Sequence, residues 1–336
     1  METRSFNKIK IPDQIGKYKV LDILGYGGFA VVVLAQDINT QEKCAIKIID
    51  RKEITKQNFL LYLENELRLS ERFNHPNIVK VFEIIYEPDT IMIVMEYLSN
   101  GDLQTLLEQN INFTIQEQFR IGLELLQAIK YLHDRGVCHR DIKPSNILFD
   151  DDFHPKIIDF GVSKEQSEAL STYCGTSFYM APEIVKNKIY DGKKVDVWAF
   201  GITMNLITEK RFPWNKILND AQFIKLVTQN KLEICVDQIG IIGDIISRCL
   251  VIDPNERASI DDLLKYIEEW QASRVFISRS RQSTKTCKGS LLPKLYSPNS
   301  NNSTPFVGKI FSPLDKKVLK KLSFTVRRRS HDPPRL

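Results

Sequence analysis

The chain has 336 residues, 43% hydrophobic and 26% charged, an ordinary balance for a soluble globular protein with room for sizeable cores and a tail. The apolar runs are short, Ile91-Met92-Ile93-Val94-Met95 among the longest, so none reaches the length of a membrane span. Six cysteines without C-x-x-C spacing, and a polar, basic start from Met1 to Lys10, predict a reduced intracellular protein with no cysteine metal site. The net charge of +5 hides an asymmetry: Gln271 to Leu336 holds 15 Lys and Arg against two acids, about +13, which leaves about −8 for the rest.

In chain order, Met1 to Lys17 reads as a polar leader. Short β-branched runs follow at Tyr18–Leu24, Val31–Gln36, Cys44–Asp50, Val81–Tyr86 and Thr90–Glu96, divided by turn residues such as Gly25-Tyr26-Gly27-Gly28 and Glu87-Pro88-Asp89. Five such runs predict an antiparallel sheet, interrupted by a helical pattern between Thr55 and Phe73. After Gly101 the period becomes helical, and Phe119, Leu123, Leu126, Ile129 and Tyr131 fit one long amphipathic helix. The expected class is α+β: a small antiparallel β-rich lobe (about 18–96), a hinge, and a larger α-helical lobe (about 102–270). From 271 to 336 Ser, Thr, Pro, Asn and basic residues dominate, and the composition predicts a largely disordered tail.

Four segments carry chemistry. Gly25, Gly27 and Gly28 join the first two strands, where glycine lets a hairpin backbone lie close over phosphates; taken alone this also reads as a plain turn. Lys47, among the apolar residues of the third strand, needs a partner if its stem points inward, and is otherwise an exposed charge. On the Thr55–Phe73 pattern, Glu66 falls on the stripe of Phe59, Leu63 and Leu67, while Glu64 lies on another face. His139-Arg140-Asp141-Ile142-Lys143-Pro144-Ser145-Asn146 is followed thirteen residues after Asn146 by Asp159-Phe160-Gly161. Phosphoryl transfer needs one carboxylate to take a hydroxyl proton, and a second carboxylate with an amide to hold metal ions; Asp141, Asp159 and Asn146 are those types at that spacing.

Together with Ala181-Pro182-Glu183 and Asp196-Val197-Trp198 further on, these segments resemble the eukaryotic protein kinase family, from about Tyr18 to Trp270. The resemblance implies a two-lobed kinase fold and transfer of the γ-phosphate of ATP, with Mg2+, to protein hydroxyls. It assigns Asp141 and Lys143 to catalysis, Lys47 with Glu66 to the phosphate-holding pair, and Asn146 and Asp159 to the metal. For ATP it implies Leu24, Gly25, Gly27, Gly28, Val32, Ala45, Lys47 and Leu148. Met95 would be the gatekeeper, the backbones of Glu96 and Leu98 would read adenine, and Asp102 would reach the ribose. Ala30 stands where the family has a third glycine, and Ser70 where it has a bulky apolar residue.

Lys143, two residues after Asp141, and Gly175 to Glu183 resemble the serine/threonine class. Thr172 aligns with the activation-loop phosphosite, Arg140 with its phosphate partner, and Arg257 with the residue that pairs with Glu183. Within the family, the phrases around Asn146, Asp159 and Asp196 look most like the calcium/calmodulin-dependent group. The expected partners are protein substrates and an upstream activating kinase. Lys316–Arg329 mixes seven basic residues with apolar ones and could meet an acidic partner, calmodulin or an anionic membrane, or be a solvated tail. No nucleic-acid module accompanies the charge. The alternatives are a pseudokinase scaffold and a protein that binds nucleic acid or membranes through its tail. The expected location is intracellular, cytoplasmic by default with the nucleus open.

Overall fold

The computed structural model describes residues 11–26, 30–52, 67–69, 72–160, 164–165, 177–186, 190–214, 217 and 219–283, with backbone alone at 164–165, 177 and 275–283. The chain divides into two units, Met1–Glu268 and Glu269–Leu336.

Six strands, β1 (Gln14–Ile15), β2 (Tyr18–Tyr26), β3 (Ala30–Asp37), β4 (Lys43–Asp50), β5 (Val81–Tyr86) and β6 (Thr90–Glu96), pair antiparallel in the order β1-β2-β3-β4-β6-β5. Register sorts their side chains, because residues opposite one another in a ladder share a face. One face carries Val33, Ile46 and Val94, and beside them Val31, Ile48 and Met92, all in a buried cluster. The next positions along, Val32, Lys47 and Ile93 in one row and Ala45 with Met95 in another, take the opposite face. The sheet curls far enough that the Tyr18 hydroxyl on β2 donates to Glu83 on β5, and Lys17 bridges Asp37 at 3.3 Å and Glu83 at 3.4 Å.

The five expected strands are present and β1 is a sixth. It lies inside the segment read as a polar leader, yet Ile15 is only 2% exposed and Ile11 packs beside the same core. Two residues carry no alternation to detect; only their contact with β2 makes them a strand.

The larger lobe holds α1 (Leu103–Glu108), α2 (Ile115–Asp134), α3 (Pro182–Lys186), α4 (Gly192–Glu209), α5 (Asp220–Thr228), α6 (Gly240–Cys249) and α7 (Ile260–Ser283). Two short antiparallel pairs accompany them, β7 (Val137–Cys138) with β10 (Lys164–Glu165) and β8 (Ile147–Phe149) with β9 (Pro155–Ile157). The chain therefore has the expected α+β organisation, a small antiparallel sheet lobe followed by a larger helical lobe.

Local chemistry starts the helices. At α2 the Thr114 hydroxyl accepts the Glu117 N–H while the Glu117 carboxylate accepts the Thr114 N–H at 2.7 Å, a reciprocal capping box. On α2 the expected stripe holds at Leu126 and Ile129, both 0% exposed and beside Ile121, Leu125, Ala128 and Leu132, while Phe119, Leu123 and Tyr131 are half-buried. Helix α4 is buried without a break from Val195 to Ile207, as expected of a helix packed on all sides. Helix α7 runs past Trp270, beyond the expected start of the tail at 271, to Ser283. Near that boundary the Arg274 guanidinium stacks 4.3 Å from the Trp270 ring and the Ser273 hydroxyl donates to the Trp270 carbonyl.

Gly201 marks the closest approach of α4 to α6. A Cβ there would meet the Cys249 Cβ at 2.5 Å and the Leu250 Cδ2 at 2.9 Å. Gly201→Ala should force the helices apart and cost about 1–3 kcal/mol. The expected readout is a lower denaturation midpoint in urea with an unchanged slope.

Candidate active site

A cleft of ≈ 430 Å³ is bounded by the second face of the sheet and by the β8–β9 hairpin, within the usual size range of small-molecule sites. Leu24, Gly25, Val32, Ala45, Lys47, Met95, Glu96, Leu98, Asp102, Leu148 and Asp159 all line it. Gly27, Gly28, Glu66 and Thr172 lie outside the described residues, as do most of the Thr55–Phe73 pattern and Lys316–Arg329. The lining suits a flat heteroaromatic ring followed by an anionic tail, with aliphatic side chains on β2, β3, β4 and β8 and the charged groups of Lys47 and Asp159 beyond them.

Several lining residues were not singled out by sequence. Val81 and Ile93 could have been, since Val81 pairs with Met95 and Ile93 sits two residues before it on β6. Val79 and Ile158 could not, because a parallel bridge between Ile78 and Ile157, far apart in the chain, brings them together. Two expected residues have commitments not foreseen. The Asp102 carboxylate caps α1, accepting the Thr105 N–H at 2.9 Å and the Thr105 hydroxyl at 2.8 Å. The Glu96 N–H donates to the Lys80 carbonyl at 3.0 Å, and its carboxylate pairs with Lys156 at 3.0 Å.

The loop from His139 to Asn146 reaches the cleft at Ser145. The Asp141 Oδ2 atom accepts from Lys143 Nζ at 2.6 Å and from Asn146 Nδ2 at 2.9 Å. The same amide donates to the Asp141 carbonyl at 2.9 Å, which leaves Asn146 Oδ1 as its acceptor. The second carboxylate oxygen, Asp141 Oδ1, is shielded from solvent and has no hydrogen-bond partner among the described residues. A buried acceptor with empty lone pairs is unusual in a folded protein. It is also what a group that must take up a proton requires. Burial first, and then the Asp141 charge, pushes the Tyr179 hydroxyl up to about 12, so this phenol remains a proton donor beside the loop.

Backbone strain is held in place from below. Arg140 (φ 65°) and Asp159 (φ 64°) both sit in the left-handed region, which non-glycine residues seldom enter without compensating contacts. For Arg140 the compensation is Asp196 on α4. Its Oδ2 accepts the His139 N–H at 2.9 Å and its Oδ1 the Arg140 N–H at 2.7 Å. His139 accepts the Asp141 N–H at Nδ1, 3.3 Å, and donates from Nε2 to the Ile158 carbonyl at 3.0 Å, which fixes its tautomer. The Phe160 ring packs 5.0 Å from Phe73 and 5.1 Å from His139, and both Phe160 and its neighbour Asp159 line the cleft.

His133, Cys138 and Asp196 also cluster beneath this loop. Burial pushes the Cys138 thiol up, with Asp196 and Asp191 adding to the effect, and Asp196 already accepts from His133 Nε2 at 2.9 Å. A protonated thiol and a committed carboxylate make a buried hydrogen-bonded anchor, not a ligand set. Further out, the expected pair forms: Arg257 meets Glu183 through two parallel bonds of 2.6 and 2.9 Å. Arg140 is buried with one guanidinium nitrogen 3.5 Å from the Tyr190 hydroxyl.

The model of the protein kinase domain matches residues 18–267. The chain belongs to the protein kinase family. It is 31% identical over 259 residues to the Carbon catabolite-derepressing protein kinase of Candida glabrata, covering 76% of this chain and 42% of that one. It is 34% identical over 260 residues to Sucrose non-fermenting protein kinase 1 of Fusarium virguliforme, covering 76% and 37%. It is 34% identical over 283 residues to the Serine/threonine-protein kinase cds1 of Schizosaccharomyces pombe, covering 79% and 61%. The chain thus spans less than two thirds of the length of each of these kinases. No described helix is long and apolar enough to cross a membrane.

Proposed function

We propose that this protein kinase is an ATP-dependent serine/threonine kinase, transferring the γ-phosphate of ATP to hydroxyls of protein substrates. The observation that carries this is the meeting of Asp141, Lys143 and Asn146 within 2.6–2.9 Å, in a loop whose Ser145 lines the same cleft as Lys47 and Asp159. Asp141 Oδ1 receives the proton of the attacking hydroxyl, a contribution of about 10²–10⁴-fold. Lys143, on the other oxygen, orients the carboxylate and balances charge on the phosphoryl group in flight. Lys47 holds the phosphate tail, with Glu66 as its partner. Asp159 and Asn146 Oδ1 are hard oxygen ligands suited to Mg2+, which when bound neutralises the phosphate oxygens. No member of the set is replaced, which speaks against a pseudokinase scaffold.

The test is radiolabelled phosphate transfer from Mg-ATP to a degenerate array of serine, threonine and tyrosine peptides. Serine and threonine labelling that disappears in Asp159→Asn is the expected result. Labelling retained in that variant would mean the metal-binding residue is elsewhere, and labelling confined to tyrosine would overturn the substrate class.

The serine/threonine form of the loop at Lys143 and the phrases around Asn146, Asp159 and Asp196 support a place near the calcium/calmodulin-dependent group. Thr172 is assigned as an activating phosphosite, with Arg140 as partner and another kinase as donor. A phosphate adds roughly −2 charge and can order a loop through charge-assisted bonds. Thr172→Ala should lower turnover about tenfold or more, an effect of the size a lost charge-assisted contact produces, and mass spectrometry of active enzyme should find phosphate on Thr172. The tail, about +13, is assigned an acidic partner surface, whether calmodulin or an anionic membrane, in an intracellular protein.

A further inference from the structure

The segment 77–79, which leads into β5, is stitched to β9 by two backbone hydrogen bonds. They make a parallel bridge between Ile78 and Ile157: the Ile157 N–H donates to the Asn77 carbonyl at 2.9 Å, and the Val79 N–H donates to the Ile157 carbonyl at 3.0 Å. Two residues beyond Ile157 stands Asp159, and Val79 and Ile158 themselves line the cleft. This junction therefore sets the spacing between the sheet that carries Lys47 and the hairpin that leads to Asp159.

One carboxylate gathers its outer end. Glu124, on α2, is 16% exposed at its side chain. Asn77 Nδ2 donates to Glu124 Oε2 at 3.3 Å and to the Pro155 carbonyl at 2.9 Å. Arg120 Nη1 reaches both Glu124 oxygens at 3.1 and 3.2 Å, and its Nη2 holds the Phe153 carbonyl at 3.0 Å. His154 Nδ1 lies 3.0 Å from each Glu124 oxygen and 3.1 Å from Arg120 Nη1. Glu124 thus joins three places at once: its own helix, the β8–β9 turn, and the segment entering β5.

The geometry points to Glu124 as a positioning residue for phosphoryl transfer. It touches neither the cleft nor the loop of Asp141. It acts by keeping Asn77, and so the Ile78–Ile157 bridge, in register, and through that bridge the separation of Lys47 from Asp159. Reaction rates fall steeply when reacting groups are displaced by fractions of an ångström. The inference rests on the proposed kinase activity for its rate readout, so the test includes a measurement that does not depend on turnover.

Glu124→Leu, Glu124→Gln and Asn77→Ala are to be compared with the unaltered chain by native-state hydrogen exchange and by kcat and KM for ATP. Glu124→Leu should speed exchange of the Val79 and Ile157 amides about tenfold or more while the amides of α4 keep their protection. It should lower kcat about threefold to tenfold and raise KM for ATP. Glu124→Gln, which keeps an acceptor oxygen for Asn77, should recover a good part of both. If the leucine variant does not fold, Asn77→Ala must show the same local exchange and kinetic pattern. The inference fails if the Val79 and Ile157 amides exchange as before, or if kcat and KM are unchanged where exchange has risen. An absence of turnover in every chain, with the local change in exchange still present, would overturn the activity and leave the junction standing.

Discussion

Asp141→Asn is expected to lower kcat by about 10²–10⁴-fold while nucleotide affinity changes little. The substitution keeps the shape of the side chain but removes its charge and its ability to take up a proton. Both bonds to the carboxylate persist in form: an amide oxygen can still accept from Lys143 Nζ and from Asn146 Nδ2, now 2.6 and 2.9 Å away. The loop should therefore stay in place, since its backbone is held separately by Asp196. The proposed nucleotide site is the aliphatic slot with Lys47, and Asp141 is not among the residues that line it. Single-turnover phosphate transfer, paired with titration of a nucleotide analogue, separates the two effects. Wild-type turnover would remove Asp141 from the role proposed for it. A parallel loss of nucleotide affinity would show that it holds the substrate rather than the proton.

The largest effect on stability is expected from Arg257→Met. Arg257 and Glu183 are 0% and 3% exposed, and they face one another through two bonds. The guanidinium also satisfies the carbonyls of Val251 at 2.9 Å and Lys194 at 2.8 Å, and lies 5.0 Å from the ring of Trp198. Methionine fills much of the volume but leaves a buried carboxylate without its cation, a change that typically costs about 3–5 kcal/mol. That is a large share of the roughly 5–15 kcal/mol by which a domain is stable. Replacing both partners, Glu183→Met with Arg257→Met, should recover part of the loss, because the stranded charge is then gone. The Val251 and Lys194 carbonyls would still lose the bond that Arg257 donates, so recovery is incomplete. Chemical denaturation of the two single variants and the double variant measures the coupling directly. An unchanged midpoint in Arg257→Met would mean that Glu183 finds another partner or takes up a proton at little cost.

The sheet and the reacting groups were legible from sequence because their signals are local. Alternation along Cys44 to Ile48 puts Lys47 on the face opposite the core whatever its neighbours turn out to be, and the ladder then aligns Val32 and Ile93 with it. Asp141, Lys143 and Asn146 are close in the chain, so a single short loop brings them within bonding distance. The apolar stripe of α2 was legible at Leu126 and Ile129, while how deeply Phe119 and Leu123 are covered depends on neighbours that arrive from elsewhere.

The same limit hid β1, whose two residues become a strand only against β2, and the second task of Asp102 as the cap of α1. It hid the meeting of 77–79 with β9, the gathering of Asn77, Arg120 and His154 on Glu124, and the support of His139 and Arg140 by Asp196, 57 and 56 positions away. Left-handed backbone at Arg140 and Asp159 leaves no trace in residue type, since neither is glycine; contacts with distant groups, such as the Asp196 bonds beneath Arg140, impose it. Side-chain chemistry at short range was thus written in the order of residues. The spacing between the two lobes, which decides whether that chemistry can act on one nucleotide, was set by hydrogen bonds between segments that meet only once the chain has folded.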